Sequence, residues 1–390
     1  MELSIHNQIL LIVFITAAVM GAIVNKTNFC TMGAVSDWVN MGDMGRIRAW
    51  LLAMAIGIAG VLVMETAGVI TLPGDTFPPY RTASFAWLRY VLGGFIFGIG
   101  MTLGSGCGNK TLVRIGGGNI KSIFVLAIMG VCAYVMLWTN FFDTAFMSWI
   151  RPTIVDLTTM NMPSQKLGDM VGAGSDASGT IHLVVGALAI AGILFYVFKS
   201  AHFRGSFDHI LGGVAVGVAV LIGWYVTGSN FEAWKEFADF SETPPSRVAV
   251  QSYTFISPAG DLMRYLQQPG NLGLINFGVV ALLGVIAGSF LYAIFSKSFR
   301  IEWFVNRSDF INHAVGGVLM GIGGVLSMGC TIGQAVTGVS TLALGSFVTF
   351  AAIVFGCALT MKVQFNLLDE QGFGSAVVSA LREMKLLPQK

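Results

Sequence analysis

The sequence predicts an all-α polytopic membrane protein built from two inverted repeats with short re-entrant helices. Three observations lead to this fold class: the composition, nine long apolar runs and an internal repeat. Of the 390 residues, 55% are hydrophobic and 11% are charged, whereas soluble proteins carry about 25% charged residues. A chain with so few charges, and with a mean hydropathy of +0.75, belongs in a lipid bilayer.

Nine apolar runs are long enough to cross the membrane, since a hydrocarbon core about 30 Å thick takes roughly 20 apolar residues per helix. They lie at 8–25, 49–71, 89–106, 119–141, 180–199, 208–227, 272–296, 312–328 and 342–363. The first run follows a segment without Lys or Arg, so we expect a retained span rather than a cleaved signal peptide. Residues 372–386, "GFGSAVVSALREMKL", have the pattern of a short amphipathic tail helix.

The internal repeat is carried by glycines and cysteines. "GGFIFGIGMTLGSGC" at 93–107 aligns without gaps on "GGVLMGIGGVLSMGC" at 316–330, and "MGVCA" in the next span corresponds to "FGCA". Each unit therefore contains four spans, with the fifth as a connector. Five spans, an odd number, precede the second unit, so it must be inverted relative to the first, which is the plan of many transporters. We predict a first repeat over 1–141, a loop and connector span over 142–205, a second repeat over 206–364 and a tail over 365–390.

The distribution of basic residues predicts the orientation. Of the 22 Lys and Arg residues, 7 fall in segments on the side of the N-terminus and 15 on the opposite side. The positive-inside rule then places the N-terminus outside and the C-terminus in the cytoplasm.

Composition also excludes several classes of protein. A net charge of +2, with charges clustered between apolar runs, provides no basic surface for nucleic acid. The five cysteines form no C-x-x-C pair and have no histidine at zinc-ligand spacing. We therefore expect no disulfide framework, no structural metal and no cofactor.

Two cysteines lie in glycine-rich turns, Cys107 in "GSGCGNK" and Cys330 in "SMGCTIGQ". The apolar runs before them are short, and glycine permits irregular backbone, which at membrane depth survives only where it is buried in protein or lines a cavity. We expect a helix break at each turn. A short helix beginning after the break would direct its N–H groups and positive dipole end at the midplane, which suits an anion.

A third cysteine, Cys30 in "NKTNFCTMGAVSDW", follows the first span and has no cysteine counterpart in the second unit. A path from Cys330 outside, through Cys107, to Cys30 near the cytoplasm would have a built-in direction. A thiol in apolar surroundings stays neutral and donates weakly, so it can contact a sulfur anion without repelling it. The remaining candidates flank these turns and comprise Gly106, Asn109, Lys110, Gly329, Thr331 and Gln334.

Structural interpretations compete with these functional ones. Cys132 and Cys357 lie inside apolar helices, where a cysteine usually packs as a small hydrophobe. Glycines four residues apart, such as Gly94 and Gly98, usually serve close helix packing. At the level of function, the chain could be a sulfur-anion permease, a membrane thiol-disulfide oxidoreductase or a non-thiol anion channel. Oxidoreductase chemistry needs a thiolate near a resolving cysteine, and the sequence predicts no close cysteine pair.

The motifs "NFCTMGAVSDW", "GSGCGNKTLVR", "SMGCTIGQ", "GVIAGSF" and "GGVLMGIG" resemble those of the YeeE/YedE family of bacterial sulfur transporters, the YeeE branch in particular, over roughly residues 8–363. The chain departs from many members in having Ser or Met where they have the first Gly of Gly-Gly-Cys. The resemblance implies an hourglass-shaped protein of the inner membrane, with nine spans plus short central helices, that takes up thiosulfate.

The same resemblance implies roles for individual residues and a partner. Cys30, Cys107 and Cys330 match the three motif cysteines of the family, which implies that they contact the passing ion in relay. It also implies that a small TusA-like sulfur-carrier protein acts at the cytoplasmic face.

Overall fold

The helices of the protein match the apolar runs closely. A computed structural model describes residues 4–172, 178–369 and 371–388. In chain order its α-helices are α1 (Ile5–Thr27), α2 (Thr31–Met41), α3 (Gly45–Thr66), α4 (Trp87–Leu103), α5 (Gly108–Gly116), α6 (Ile120–Trp138), α7 (Ser148–Ile150), α8 (Leu167–Val171), α9 (Ser178–Phe198), α10 (Ala201–Gly205), α11 (Phe207–Ser229), α12 (Phe231–Asp239), α13 (Ile256–Gln267), α14 (Phe277–Phe295), α15 (Arg307–Leu326), α16 (Leu344–Leu368) and α17 (Phe373–Glu383).

Within those ranges, nine helical stretches are long and apolar enough to cross a membrane. They contain α1, α3, α4, α6, α9, α11, α14, α15 and α16. The predicted all-α polytopic fold is thus confirmed. The face at which α1 begins is called the N-terminal face here, and the face at which α16 ends is called the C-terminal face.

Other regular structure in the described ranges is short. Two π-helices, Asp143–Met147 and Ile332–Gly338, and three 3₁₀ turns, Arg151–Thr153, Leu157–Met160 and Leu272–Leu274, interrupt the loops. Strand β1 (Ser84–Phe85) pairs antiparallel with β2 (Val155–Asp156) and ties two loops of the N-terminal face together.

Helix packing supports the inverted repeat, because every major contact has a counterpart when the two units are exchanged. Helix α1 packs on α14 as α11 packs on α3, and α4 packs on α16 as α15 packs on α6. Helix α4 packs on α15, and α1 packs on α11. In both of these contacts the two helices correspond to each other in the repeat, so the contacts lie between the two units. Helix α9 packs on α3 and α8 at the edge, as a connector would. The unit boundaries at 141, 205 and 364 stay a prediction.

The repeated glycines lie at the contact between α4 and α15. A Cβ on Gly100 would lie 2.8 Å from the carbonyl oxygen of Gly316, and one on Gly323 would lie 2.8 Å from that of Gly93. Gly93 corresponds to Gly316 in the repeat, and Gly100 corresponds to Gly323, so each of these two contacts is the repeat counterpart of the other. Backbone therefore meets backbone with no room for a side chain. Gly94 and Gly98 likewise face backbone carbonyls of α16, those of Thr349 and Ile353, as predicted for glycines that serve close helix packing.

The tail forms the predicted amphipathic helix. In α17, Ala376 and Ala380 are buried against Val363 of α16, and Lys362 forms an ion pair of 3.0 Å with Glu383.

The glycine contact generates a prediction about stability. Gly100→Val should lower the free energy of unfolding by about 1–3 kcal/mol or more, because its side chain must push two helix backbones apart. Gly192→Val is the matched control, since a Cβ there meets no atom within 4 Å. Thermal unfolding of the detergent-solubilised protein measures the difference, and equal midpoints for both variants would contradict the close contact.

Candidate functional site

The two glycine turns form the same hydrogen-bonded structure. Each preceding helix ends in a Schellman motif around a residue in the left-handed region, Ser105 at φ 57° or Met328 at φ 59°. The next amide closes the motif in both turns, from Gly106 to the carbonyl of Met101 and from Gly329 to that of Gly324. The expected helix breaks are therefore present. In each one, amides of the turn donate to carbonyls in the last turn of the preceding helix.

Cys30 lies in a third break of related geometry. Asn28, two residues earlier, is left-handed at φ 51°. All three cysteine carbonyls accept the first backbone bond of a following helical segment, at 2.8–2.9 Å, from Ala34, Thr111 and Gln334. Helices α2 and α5 thus begin directly after a cysteine, and the helical segment that contains the π-helix Ile332–Gly338 begins at Thr331, directly after Cys330. The repeated element is a left-handed residue, one spacer, a cysteine and a helix N-terminus.

The three thiols come together in the centre of the protein. The Cys30 thiol lies beside the Cys107 thiol, and Cys107 also lies beside the Thr331 hydroxyl. A Cβ on Gly108 would lie 3.9 Å from the Cβ of Cys330. The three side chains are 4%, 1% and 0% exposed, in chain order. The prediction that no close cysteine pair exists was wrong for Cys30 and Cys107, because packing joins breaks that lie 77 residues apart in the sequence.

Cys330 makes weak contacts only. The Gly333 amide donates to its sulfur at 3.5 Å, and the Thr254 hydroxyl lies 3.9 Å away. Cys132 and Cys357 lie elsewhere, against the helix contacts. Cys132 packs on Gly321, and the Cys357 sulfur accepts from the Thr102 hydroxyl at 3.2 Å.

Polar groups beside the thiols are buried and unpartnered. Asn109 is 1% exposed and Thr331 is 0% exposed. Both amide atoms of Asn109, the Thr331 hydroxyl and Oε1 of Gln334 lack a hydrogen-bond partner among the described residues. Nε2 of Gln334 does have a partner, since it donates to the carbonyl of Ser327 at the end of α15. Leaving a buried polar atom without a hydrogen bond costs about 1–3 kcal/mol, so these atoms are candidates for contact with a ligand.

Sequence reasoning missed two members of this set. The hydroxyls of Thr31 and Tyr80 are also buried without a partner. Thr31 was detectable, since Cys-Thr-x-Gly occurs at both Cys30 and Cys330. Tyr80 belongs to the loop after α3 and lies near Gly333, a contact for which the sequence contains no signal.

Gly106 and Gly329 lie between the left-handed residue and the cysteine of each turn. A Cβ on Gly106 would lie 3.1 Å from Cγ of Lys110, and one on Gly329 would lie 3.4 Å from Cγ of Gln334. Glycine therefore lets the following helix fold back close to its own turn. Lys110 extends toward the C-terminal face, where its ammonium donates to Asn28 at 3.0 Å.

A cavity of about 440 Å³ opens at the C-terminal face and ends on Cys30. Its lining includes four basic side chains, Arg46, Lys110, Arg114 and Arg300. This cavity is called the vestibule below. Among the predicted site residues, Cys30 and Lys110 line it.

Two arginines bind backbone carbonyls on the side of the N-terminal face. Arg81 forms a two-bond ion pair with Glu65, at 2.5 and 2.9 Å, and also donates to the Thr341 carbonyl at 3.0 Å. Arg89 donates to the carbonyl of Leu326 at 2.6 Å, at the end of α15.

Paired helix breaks within apolar spans, unpartnered polar groups beside them and a cavity that reaches Cys30 are typical of a membrane transporter of the inverted-repeat class. The model of the family described as "Sulphur transport" matches residues 26–359, and the chain belongs to that family. The chain is a transporter and not an enzyme.

Two curated relatives agree with this assignment. The chain is 24% identical over 365 residues to a protein named thiosulfate transporter TsuA from Escherichia coli K12, covering 88% of this chain and 91% of the relative. It is 25% identical over 271 residues to a protein of the same name from Spirochaeta thermophila, covering 68% of this chain and 74% of the relative.

The unpartnered amide generates a prediction that separates function from stability. Asn109→Leu should keep or raise thermal stability, because it removes an orphan polar group worth about 1–3 kcal/mol, while lowering transport. Asn276→Leu is the matched control, since the Asn276 amide bonds Asp261 and caps Val279 and its loss should lower stability. Thermal melting and uptake are measured on the same preparations. A fully active Asn109→Leu variant would remove Asn109 from the pathway.

Proposed function

We propose that the chain carries thiosulfate, or a closely related inorganic sulfur anion, across the membrane past Cys330, Cys107 and Cys30 in turn. The observation that supports this most is the row of three buried thiols, each at the start of a helical segment and surrounded by unpartnered polar atoms. Family membership and the names of the two relatives support the substrate class.

The chemistry of the row suits an ion with an exposed sulfur. Neutral thiols donate weakly and carry polarizable sulfur, and the N–H groups and dipoles of α2 and α5 add attraction for negative charge. Sulfate presents four strongly hydrated oxygens that would need stronger donors. In this proposal the ion passes from one thiol to the next, and the polar side chains between the thiols take the place of its water.

A second candidate function is thiol-disulfide exchange, and one observation favours it, the contact between Cys30 and Cys107. The transporter family weighs against it. In the proposed transport, the ion passes without forming a bond to sulfur, so the three cysteines stay reduced through every cycle.

The setting of the protein is also part of the proposal. The resemblance of the motifs to bacterial sulfur transporters supports an inner-membrane location, and the distribution of basic residues favours an N-terminus outside and a C-terminus in the cytoplasm. Uptake then ends at the vestibule. A small TusA-like sulfur-carrier protein would receive sulfur there, a role that the resemblance of the motifs supports.

The decisive experiment is uptake of labelled thiosulfate and sulfate by cells that lack other sulfate and thiosulfate permeases. Cells with the parent chain should accumulate thiosulfate in preference to sulfate. Cys107→Ala and Cys330→Ala should abolish uptake with normal insertion, because a small side-chain deletion costs no more than about 0.5–3 kcal/mol. Cys132→Ala and Cys357→Ala are the matched controls and should transport nearly normally.

Two results would decide against this scheme. Equal accumulation of sulfate and thiosulfate would remove the role of sulfur contact in selectivity. A disulfide between Cys30 and Cys107 that forms only during turnover, detected by thiol labelling, would make exchange chemistry the better account.

The orientation is tested with fusions. Green fluorescent protein at the C-terminus should fluoresce, and alkaline phosphatase there should be inactive, because both report a cytoplasmic location. Phosphatase fused after Glu242, between α12 and α13, should be active. The reverse pattern would invert the orientation, and like signals at both sites would exclude nine spans.

A further inference from the structure

The vestibule concentrates positive charge from three separate segments. Arg46 comes from α3, Lys110 and Arg114 come from α5, and Arg300 comes from the connection between α14 and α15. Basic residues at the ends of spans often serve only as topology anchors. Anchors have no reason to converge on one cavity, and here the cavity ends on Cys30.

The nearby acids do not neutralise all of this charge. Asp37 is occupied by Arg46, with which it forms a two-bond ion pair. Glu302 accepts from the Asn119 amide at 2.5 Å. No hydrogen bond or ion pair involves the guanidinium of Arg114 or Arg300 within the described residues. Four basic side chains thus line the vestibule against the two carboxylates Asp37 and Glu302, and the remaining positive charge concentrates anions there.

We propose that the vestibule is a second anion site, at which Arg114 and Arg300 hold the transported oxyanion after it leaves Cys30. This inference rests on the proposed function. The site differs from the row of thiols in what it recognises, because guanidinium groups bind oxyanions by charge and planar N–H geometry. It therefore accepts sulfate as well as thiosulfate, whereas the thiols do not.

The size of the vestibule determines how tightly the ion is held. Its volume of about 440 Å³ leaves room for many water molecules beside an ion, since about 10–15 Å³ on this measure already holds one. An ion there keeps most of its water, so binding is weak and sensitive to salt. Weak holding suits an exit, since the ion must be released to the solution or to an acceptor.

The test uses membrane vesicles containing the full chain, with the accessible face assigned by protease cleavage of a C-terminal tag. Flux of labelled thiosulfate is measured from each face. Arg114→Gln with Arg300→Gln should raise the half-saturating concentration from the C-terminal face about threefold or more and leave that from the N-terminal face unchanged. Arg307→Gln, at the exposed start of α15, is the matched control and should change neither value.

A second measurement, competition between sulfate and thiosulfate, tests whether the vestibule recognises the ion by its charge. Unlabelled sulfate should compete with thiosulfate in the parent chain when both are added at the C-terminal face, and this competition should disappear in the double variant. Sulfate at the N-terminal face should compete poorly in both. Normal flux from the N-terminal face also shows that the double variant is folded.

Three results would overturn the second site. They are unchanged half-saturation in the double variant, an equal change in Arg307→Gln, and no competition by sulfate at either face. Normal flux in vesicles with loss of thiosulfate-dependent growth in cells would instead identify the vestibule as the docking site of an acidic protein. A parent chain that moves no thiosulfate from either face would overturn the proposed function itself, before any variant is made.

Discussion

A helix that ends inside a membrane leaves backbone carbonyls and amides that hydrocarbon cannot satisfy, and the architecture of this protein follows from meeting that constraint. The Schellman bonds at Ser105 and Met328 satisfy the first carbonyls within each turn. Side chains supply the rest at the second break. Arg89 donates to the end of α15, and Gln334 donates to Ser327. Beside the thiols, side-chain atoms of Asn109, Thr331 and Gln334 still lack a partner among the described residues.

The glycine contact between α4 and α15 fixes where the two breaks lie. Each helix ends at a break, and the two run in opposite directions through the membrane. Only helices without side chains at the contact can approach so closely. The end of α4 at Gly104 lies beside Gly316, and the end of α15 at Ser327 lies beside Gly93, so the two breaks lie at opposite ends of the contact. The segments that follow the breaks bring their cysteines together, and a change at this contact shifts both breaks.

Periodicity and repetition made the spans, the tail helix and both glycine turns predictable from the sequence. The repeat also drew attention to Cys107 and Cys330, because a motif built twice is visible without a structure. Contacts between distant segments were not predictable. The contact of Cys30 with Cys107, the bond from Arg81 to Thr341 and the presence of Tyr80 depend on how helices pack. Thr31 is the exception, since its Cys-Thr-x-Gly motif is a second short repeat that sequence reasoning could have found.

The placement of charge along the path follows from the need to release the ion. In the proposed orientation, moving a divalent anion into a cytoplasm that is negative by about 100 mV requires about 4.6 kcal/mol of electrical work. Three neutral donors at about 0.5–1.5 kcal/mol each ease its passage without creating a deep trap, whereas a central arginine would hold it. Conduction requires several weak sites in series. The guanidinium groups of Arg114 and Arg300 accordingly lie at the wet end of the path, where water screens them. None of these contacts supplies free energy for accumulation, because the ion leaves each of them again. The free energy for accumulation must therefore come from consumption of the anion at the C-terminal face or from a coupled ion.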